Sequence, residues 1–327
     1  MINYSIIIPH LNIPQLLQRC LDSIPRRKDV QIIVVDDNSD PAIVDFEKFP
    51  GLNDASVELV FSKEVDKGAG YARNIGMEKA IGKWVLFADA DDYFVANMLD
   101  ILDSYKDEDM DICIFRPGSK EPVTKKRILG YNIYLDAYFS GDITERDVAS
   151  LYPVPWSKMV SRDFLLKENI KFEEVLFSND ILWSTKVAVF AQKIICSDTI
   201  LYIVTARNGS LTTIRTREAL QTRFEVSLRR NLYVRSIGEI EHEAPIMHSW
   251  LIPTMQTDVF LFFSILAKIL KKGMIHSGKR KREILYKMDK RFNRHFYKHP
   301  YLYIISVFLF ARPWKVLKKY CRPNIGG

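Results

Sequence analysis

The sequence has few cysteines, and none of them is paired at the short spacing that metal sites use. The 327 residues contain only Cys20, Cys113, Cys196 and Cys321, far apart and without a CxxC pair. Small secreted scaffolds and zinc modules need closely spaced cysteines. A disulfide framework and a zinc site are therefore both disfavoured, and a reducing compartment is indicated.

Long hydrophobic runs are also absent. No apolar run reaches the roughly 20 residues that a membrane-spanning helix needs. The first residues, Met1–Ser5, lead directly into a strand-like run and lack the basic stretch and cleavage site of a signal peptide. We therefore expect no signal peptide and no membrane span.

Charge is unevenly distributed along the chain. The net charge is +7, and 47% of the residues are hydrophobic, which is ordinary for a folded protein. Residues 267–327 contain 17 Lys and Arg against two acidic residues, whereas residues 1–266 contain 30 basic and 38 acidic residues. An acidic body with a basic end suggests two different tasks.

Apolar runs that end in polar residues predict the core of the first part. They are typical of buried strands in a parallel sheet. Between these runs, apolar residues recur at helical spacing over 16–24 and 68–81. Strands that alternate with helices predict an α/β sheet with right-handed crossovers. Asn12 is the expected cap of the first helix, with Pro14 in its first turn. The predicted strands are Ser5–Pro9, Gln31–Val35, Val57–Phe61, Trp84–Ala88 and Asp111–Phe115.

The pattern weakens after the fifth strand. Prolines, glycines and a basic cluster over 116–150 favour a loop or a small inserted sheet. Periodicity returns with a helix over 181–190 and one or two strands over 194–204. After about Arg217 the chain is predicted to be helical.

Three carboxylates follow the fourth predicted strand, at Asp89, Asp91 and Asp92. Polar residues also follow strands one and two, and ligands of parallel sheets bind beyond the carboxyl ends of the strands. Like charges so close together favour a divalent cation and a diphosphate among them. The alternative is that Asp91 and Asp92 only start the next helix, where carboxylates suit the helix dipole.

Several blocks, in order, resemble the inverting glycosyltransferases of family 2, which have the GT-A fold. The four main blocks are Ser5–Asn12 (S-x-I-I-P-x-Y-N), Val34–Ser39 (V-D-D-G/N-S), Gly70–Gly76 (G-x-x-x-A-R-N-x-G) and Phe87–Asp92 (D-x-D-D). Together they span roughly the first 115 residues. The first glycine of the third block corresponds to either Gly68 or Gly70. Weaker similarity covers Trp156–Lys158, Asn179–Asp180 and Arg207–Thr212, and the chain departs from the family pattern at Leu11 (usually Tyr) and Asn179 (usually Glu).

The resemblance implies a Rossmann-like, mostly parallel sheet flanked by helices, with a helical, basic C-terminal extension. The GT-A domain would cover 1–215, with a nucleotide-binding half at about 1–115 and an acceptor half at about 116–215. Residues 216–327 would form the extension. The implied activity is metal-dependent hexosyl transfer from a nucleotide-sugar, with UDP favoured, to a saccharide or lipid-linked saccharide in surface polysaccharide biosynthesis.

The resemblance also assigns residues to the donor site. Asp36 and Asp37 would contact base and ribose, unless they only form an Asx turn, and Arg73 would contact the nucleotide, unless it only caps a helix. Asp91 and Asp92, together with Asp89, would hold Mg²⁺ or Mn²⁺. The nucleotide-binding candidates are Pro9, His10, Asn12, Asp36, Asp37, Arg73 and Asp89.

The reacting groups come from the second half. Asp180 is the candidate base that removes the acceptor proton, unless it is an ordinary helix N-cap. Trp156 and Asn179 are candidates for sugar contact, with a core position the alternative for Trp156. Arg207 and Ser210 are candidates for the diphosphate.

The basic end leaves three interpretations. Two apolar and aromatic stretches beside Lys and Arg, Val259–Phe263 and Tyr301–Ala311, suit an anionic membrane surface. Binding there would place the protein in the cytoplasm on the inner face of the membrane. A helical subdomain with solvated lysines is the second interpretation, and nucleic-acid binding by Lys279–Arg282 is the third and least favoured, so no nucleic-acid partner is expected. For the whole chain, a non-catalytic sugar- or nucleotide-binding scaffold and a nucleotidyltransferase on a related fold stay open.

Overall fold

The computed structural model describes residues 1–62, 64, 67–207, 209, 211–288, 304–305 and 307. The chain divides into two compact units, Met1–Ser210 and Leu211–Gly327. The strands of the first unit are β1 (Tyr4–His10), β2 (Val30–Asp36), β3 (Val57–Phe61), β4 (Trp84–Phe87), β5 (Tyr93–Phe94), β6 (Ile112–Gly118), β7 (Lys158–Ser161) and β8 (Ile194–Ile203). Its helices are α1 (Pro14–Asp22), α2 (Ala69–Lys79), α3 (Met98–Asp103), α4 (Pro122–Phe139), α5 (Glu145–Leu151), α6 (Arg162–Lys167) and α7 (Asp180–Phe190).

The eight strands form one mixed, mostly parallel sheet in the order β3-β2-β1-β4-β7-β6-β8-β5. β1 is parallel to β2 and β4, β2 is parallel to β3, and β6 is parallel to β8. β7 runs antiparallel to both of its neighbours, and β5 runs antiparallel to β8. All seven residues of β1 are buried, as expected for a strand covered on both faces. The α/β prediction and its five strands are confirmed.

Register brings the ends of β1, β2 and β4 to one edge of the sheet. His10 pairs with Asp36 at the end of β1 and β2, and Ile7 pairs with Phe87 at the end of β4. The segments that follow these strands therefore emerge side by side, as ligand-binding segments of parallel sheets do.

The prediction of a loop or small sheet over 116–150 is wrong, because this region contains α4 and α5. Pro122 occupies the first turn of α4, where its missing N–H costs nothing, so it starts this helix. α5 begins with a reciprocal capping box between Thr144 and Asp147. β6 reaches through Gly118, and its pairing with β8 shifts register on both sides of Arg116.

The predicted cap of the first helix is also wrong. Ile13 occupies the N-cap position of α1, and Pro14 is the first helical residue. Asn12 has a φ of 58°. Its Oδ1 accepts a hydrogen bond from Asp40 N at 2.7 Å, so Asn12 links the β1 and β2 loops.

The second unit is helical in its described part, as predicted. It contains α8 (Arg217–Ser236), α9 (Ile246–Thr257), α10 (Val259–Lys271) and α11 (Lys279–Met288). Among the described residues, no helix combines the length and the apolar character required to cross a membrane. The buried core of the second unit includes Leu220, Phe224, Leu251, Met255, Phe262, Ile265 and Ile269.

Part of the basic run at the start of α11 lies inside this second unit. Lys281 and Arg282 are both buried. Arg282 donates through Nη2 to His276 O at 3.1 Å and through Nη1 to Ser277 O. Two members of the run thus support the fold, which favours the packing interpretation for Lys279–Arg282. The predicted apolar stretch Tyr301–Ala311 and the basic residues after it lie mainly outside the described residues.

Candidate functional site

The ends of β1 and β2 are joined by a buried hydrogen-bond network around Asp36. His10 Nδ1 lies 2.7 Å from Asp36 Oδ1, and Ile13 N–H donates to His10 Nε2 at 3.1 Å. Because Nε2 accepts, Nδ1 carries the proton and donates to Asp36. Ser39 donates to the same carboxylate through Oγ at 2.6 Å and through its backbone N–H at 2.9 Å.

This network fixes the charge state of Asp36. Burial opposes ionisation, but the hydrogen bonds from His10 and Ser39 prevail, and the pKa of Asp36 lies below its ordinary value. Pro9 and His10 are buried, whereas Asn12 and Asp37 are partly exposed at the same edge. The nucleotide-binding role of these residues stays a prediction, and the observed contacts of Asp36 are those of a turn-forming carboxylate.

The acidic turn, which we define as Asp89–Asp92, is held by residues from distant parts of the chain. Tyr202 Oη accepts from Asp89 N at 2.8 Å, and Thr205 N donates to Asp92 Oδ1 at 2.7 Å. Arg19 of α1 donates to Asp91 O at 2.6 Å. No helix starts at this turn, because β5 follows it and α3 begins only at Met98.

The three carboxylates of the acidic turn fit a divalent cation. Asp89, Asp91 and Asp92 each offer one oxygen, and these oxygens lie within 4.8 Å of one another. Burial and the neighbouring carboxylates raise the pKa of Asp91, and they raise that of Asp92 well above its ordinary value. Carboxylate oxygens are the hard donors that Mg²⁺ and Mn²⁺ prefer. A cation between these three carboxylates would also relieve their mutual repulsion.

Two arginines offset part of the negative charge of this turn. Arg73 of α2 places Nη2 2.6 Å from Asp89 Oδ1, and Arg207 places Nε 2.6 Å from Asp91 Oδ2. Arg73 is only 6% exposed, so it is not a surface helix cap. Arg207 thus lies beside the predicted metal ligands, whereas Ser210, its predicted partner, lies outside the described residues.

Arg73 also connects the acidic turn to α7. Its Nη1 donates to Asn179 Oδ1 at 2.9 Å, and its guanidinium carbon lies 5.4 Å from the centre of the Phe172 ring. Asn179 occupies the N-cap position of α7, and Asp180 is the first helical residue. The candidate base is therefore not itself the N-cap, and it lies one residue from a direct contact with Arg73.

Opposing influences act on Asp180. Burial raises its pKa, and Asp89 acts in the same direction, whereas Arg73 and Lys158 lower it. The net pKa lies above the ordinary value, so the carboxylate is a stronger base than a solvated aspartate. The start of a helix also favours the ionised form.

Trp156 and Asn179 lie inside the protein. Trp156 is 2% exposed, stacks on Tyr202 with a centroid distance of 5.8 Å, and meets the edge of Tyr131. This position matches the core alternative for Trp156 and leaves no open ring face for a sugar. Asn179 is also buried and contacts Arg73.

Several residues that support the site were missed by sequence reasoning. Tyr202, Thr205 and Arg19 hold the acidic turn through contacts that span 72 to 114 positions of the chain. Asn74 exchanges two hydrogen bonds with the backbone of Phe172. Its place beside Arg73 in the A-R-N block was the one signal that could have found it.

Glycine permits the close approach of α2 to the segment that carries Asn179. Gly68 caps α2 with a φ of 76°. A Cβ at Gly70 would lie 2.1 Å from Glu173 O and 2.8 Å from Asn179 Cβ. Both candidates for the first glycine of the third block therefore have a structural reason to be glycine.

Replacing Gly70 with Ala should lower the free energy of unfolding by about 1–3 kcal/mol, because the added methyl group must displace the backbone at Glu173. Urea denaturation of the two proteins measures the change. Gly130→Ala in α4 is the matched control, since a Cβ there meets nothing within 4 Å. Equal stability of Gly70→Ala and the wild-type protein would contradict the close approach.

The sequence of this chain is similar to those of known glycosyltransferases. The model of the family "Glycosyl transferase family 2" matches residues 5–167. The chain is 29% identical to the uncharacterized glycosyltransferase YibD of Escherichia coli over 63% of this chain and 62% of YibD. It is 25% identical to the glycosyltransferase GlyA of Streptococcus pneumoniae over 72% of this chain and 35% of GlyA. The matches thus span less than two thirds of both relatives.

Solved structures share the fold at low sequence identity. Staphylococcus aureus TarS, residues 1–349 in complex with UDP-GlcNAc, aligns with a TM-score of 0.60 at 18% identity and covers 99% of this chain and 95% of that chain. The mannosyltransferase PcManGT of Pyrobaculum calidifontis, in complex with GDP-Man and Mn²⁺, aligns with a TM-score of 0.51 at 17% identity over 94% of this chain and 86% of that one. The chain has the GT-A fold of these proteins.

Proposed function

Because this chain belongs to glycosyl transferase family 2, we propose that it transfers a sugar from a nucleotide-sugar donor to a hydroxyl group of a saccharide acceptor, with inversion at the anomeric carbon. The observation that carries the proposal is the link from Asp89 through Arg73 to Asn179 and the start of α7. This link joins a candidate donor site to a candidate base across two separate parts of the chain.

The proposed donor is a UDP-sugar. TarS, which has the same fold, was solved with UDP-GlcNAc, and PcManGT with GDP-Man, so a GDP-sugar is the alternative to test. Pro9, His10, Asn12, Asp36, Asp37, Arg73 and Asp89 are the proposed nucleotide-binding residues. Asp36 would act by holding the β1 and β2 loops in place, because its oxygens already accept from His10 and Ser39.

In the proposed reaction, Asp180 takes the proton of the acceptor hydroxyl as that oxygen attacks the anomeric carbon from the face opposite the diphosphate. The bond to the diphosphate breaks as the new glycosidic bond forms. Asp91 and Asp92, with Asp89, would hold Mg²⁺ or Mn²⁺, which stabilises the charge of the leaving diphosphate. Arg207 and Ser210 are proposed to contact the same leaving group.

The test is release of the nucleoside diphosphate from a panel of UDP- and GDP-sugars, with saccharide acceptors, in the presence of Mn²⁺ or a chelator. Turnover of one donor that needs both the metal and Asp180 supports the proposal. Binding of donors without turnover, under every acceptor and metal condition, would instead support a non-catalytic sugar-binding role.

We further propose an acceptor linked to lipid, reached from the cytoplasmic face of an anionic membrane. The α10 face, which we define as Phe260, Phe263 and Leu270, is apolar and exposed, with Phe260 at 61% and Phe263 at 50%. The opposite face of α10 packs into the helical core through Phe262, Ile265 and Ile269. Exposed Lys271 and Lys272 follow the apolar face, which suits anionic headgroups.

Replacing Phe260 and Phe263 together with Ser should weaken binding to anionic phospholipid vesicles at least about tenfold, because each inserted phenyl ring contributes roughly 1.5–3 kcal/mol. Vesicle co-sedimentation measures the change. Ile240→Ser is the control, since Ile240 is equally exposed but lies outside α10. Unchanged binding by the double variant, or an equal loss in the control, would contradict the proposed surface.

A further inference from the structure

The imidazole ring of His10 is enclosed at the end of β1. The side chain of His10 is 0% exposed, and that of Asp36 is 2% exposed. The ring packs against Phe49 in a T-shaped contact, with 5.2 Å between the two ring centroids. An imidazole closed off in this way cannot touch a nucleotide, so its effect on nucleotide binding must pass through the residues around it.

Both ring nitrogens of His10 form hydrogen bonds, and they have opposite roles. Nδ1–H donates to Asp36 Oδ1 at 2.7 Å, whereas Nε2 accepts from Ile13 N at 3.1 Å. The ring thereby joins the β1 loop, which we define as residues 11–13, to the end of β2 and to the β2 loop, which we define as residues 37–40. A neutral imidazole has one donor and one acceptor, so this arrangement requires the neutral ring.

Further hydrogen bonds tie the β1 loop to the β2 loop. Asn12 N donates to Ser39 Oγ at 2.9 Å, and Asp40 N donates to Asn12 Oδ1 at 2.7 Å. Asn12 and Asn38 have φ values of 58° and 64°, in the left-handed region that residues other than glycine seldom occupy. The observed conformation of both loops therefore depends on the contacts around them.

Protonation of His10 would keep one of its two ring contacts and break the other. Burial opposes the ionisation of Asp36, but its hydrogen bonds outweigh burial and hold its pKa below the ordinary value, so it still accepts from Nδ1. An imidazolium has no acceptor, so Nε2–H would point at the N–H of Ile13. Asp37 and Asp40 are the other acids of the β2 loop. Relief of the clash between two donors requires Ile13 to move away from the ring.

We propose that His10 is a positioning residue of the donor site, that its neutral ring holds the β1 loop against the β2 loop, and that protonation of the ring releases the β1 loop and weakens nucleotide binding. The inference rests on the proposed binding of the nucleotide at this edge, where Asn12 and Asp37 are partly exposed. Asp37 N also donates to His10 O at 2.8 Å. Imidazoles change charge between about pH 5 and 8, so affinity should fall as the pH is lowered through that range.

The first test compares the affinities of the wild-type protein and His10→Asn for UDP, measured by calorimetry with Mn²⁺ from pH 8 to 5.5. Asn does not titrate, and it cannot contact Asp36 and Ile13 together, so it imitates the released loop. Titration of the diphosphate and of the acidic turn acts on both proteins, so the ratio of the two affinities isolates His10. At pH 8 the wild-type protein should bind at least about fivefold more tightly, the factor that corresponds to one buried hydrogen bond. At pH 5.5 the ratio should approach one.

The control for this test is His276→Asn, the same substitution at an exposed histidine of the second unit. It should leave the affinity for UDP equal to that of the wild-type protein at every pH. A ratio for His10→Asn that stays constant from pH 8 to 5.5 would overturn the inference, because a purely structural loss does not depend on the titration of the ring.

The second test uses the wild-type protein without ligand. NMR follows the ring nitrogens of His10 and the backbone amide of Ile13 while the pH is lowered. We expect the neutral ring to carry its proton on Nδ1, and the Ile13 signal to move with the same midpoint as the ring. A neutral ring protonated on Nε2, or an Ile13 amide that does not follow the ring, would contradict the inference even if His10→Asn does not fold.

The outcomes separate this inference from the proposed function. If UDP binds and the ratio of affinities does not change with pH, the inference is wrong and the proposed donor site stands. If neither UDP nor GDP binds the wild-type protein at any pH, the donor site fails and the inference fails with it. A ratio that depends on pH, together with a shared midpoint for His10 and Ile13, supports both.

Discussion

Replacing Asp180 with Asn is expected to lower kcat by about 10²–10⁴-fold, the range that a positioned general base contributes. Asn keeps the size of the side chain but cannot take the acceptor proton. Asp180 is the first residue of α7, next to the Asn179–Arg73 contact, and its pKa is raised mainly by burial. These features describe a basic carboxylate held at a fixed point. Asp180→Asn removes this basic group and leaves the surrounding packing unchanged.

Donor affinity should change little in this variant, because Asp180 is not among the proposed donor contacts. Steady-state kinetics gives kcat, and calorimetry with UDP and Mn²⁺ gives the affinity. Asp163→Asn is the control, since Asp163 is an exposed acid in the first turn of α6 and should not affect turnover. If Asp180→Asn keeps kcat within about threefold of the wild-type value, far less than the usual loss of a base, another group performs the proton transfer.

Asp91→Asn is expected to reduce metal-stimulated turnover at least about 100-fold, since a bound cation supplies several kcal/mol of charge stabilisation in such reactions. The substitution removes one anionic oxygen from the three that converge in the acidic turn. It also removes the carboxylate partner of Arg207. Both changes act on the site proposed to hold the diphosphate.

Two measurements check this expectation. Turnover as a function of Mn²⁺ concentration shows whether the metal requirement is lost, and electron paramagnetic resonance of Mn²⁺ with UDP present measures binding directly. Asp107→Asn, an exposed acid outside the turn, is the control. Wild-type affinity for Mn²⁺ in Asp91→Asn would exclude Asp91 from the metal site.

The sequence predicted the sheet because its signals are local. Each of the runs that became β1, β2, β3, β4 and β6 is short and is bounded by polar residues, so a short window of sequence contains its signal. The helices over 122–151 were missed because Pro117, Gly118 and Pro122 lie close together and resemble a loop. Their actual positions, inside β6 and at the start of α4, depend on the pairing of β6 with β8.

The candidate site was predicted in part, for the same reason. The carboxylates Asp89, Asp91 and Asp92 are adjacent in sequence, and the edge at which they lie follows from the strand order. The residues that hold them, Tyr202 and Thr205, lie more than 100 positions away in the sequence. No local sequence pattern predicts such a contact. Trp156 illustrates the reverse case, because an aromatic residue in a functional block proved to be a core residue.

The pairing of Arg73 with Asp89 and of Arg207 with Asp91 has a consequence for handling this protein. In a zinc finger the ion supplies the folding energy, so a chelator denatures the domain. Here two guanidinium groups already offset part of the negative charge of the turn, and Tyr202, Thr205 and Arg19 hold its backbone and side chains in place. Purification in EDTA should therefore yield a folded protein, and the proposed metal-dependent activity should return when Mn²⁺ is added.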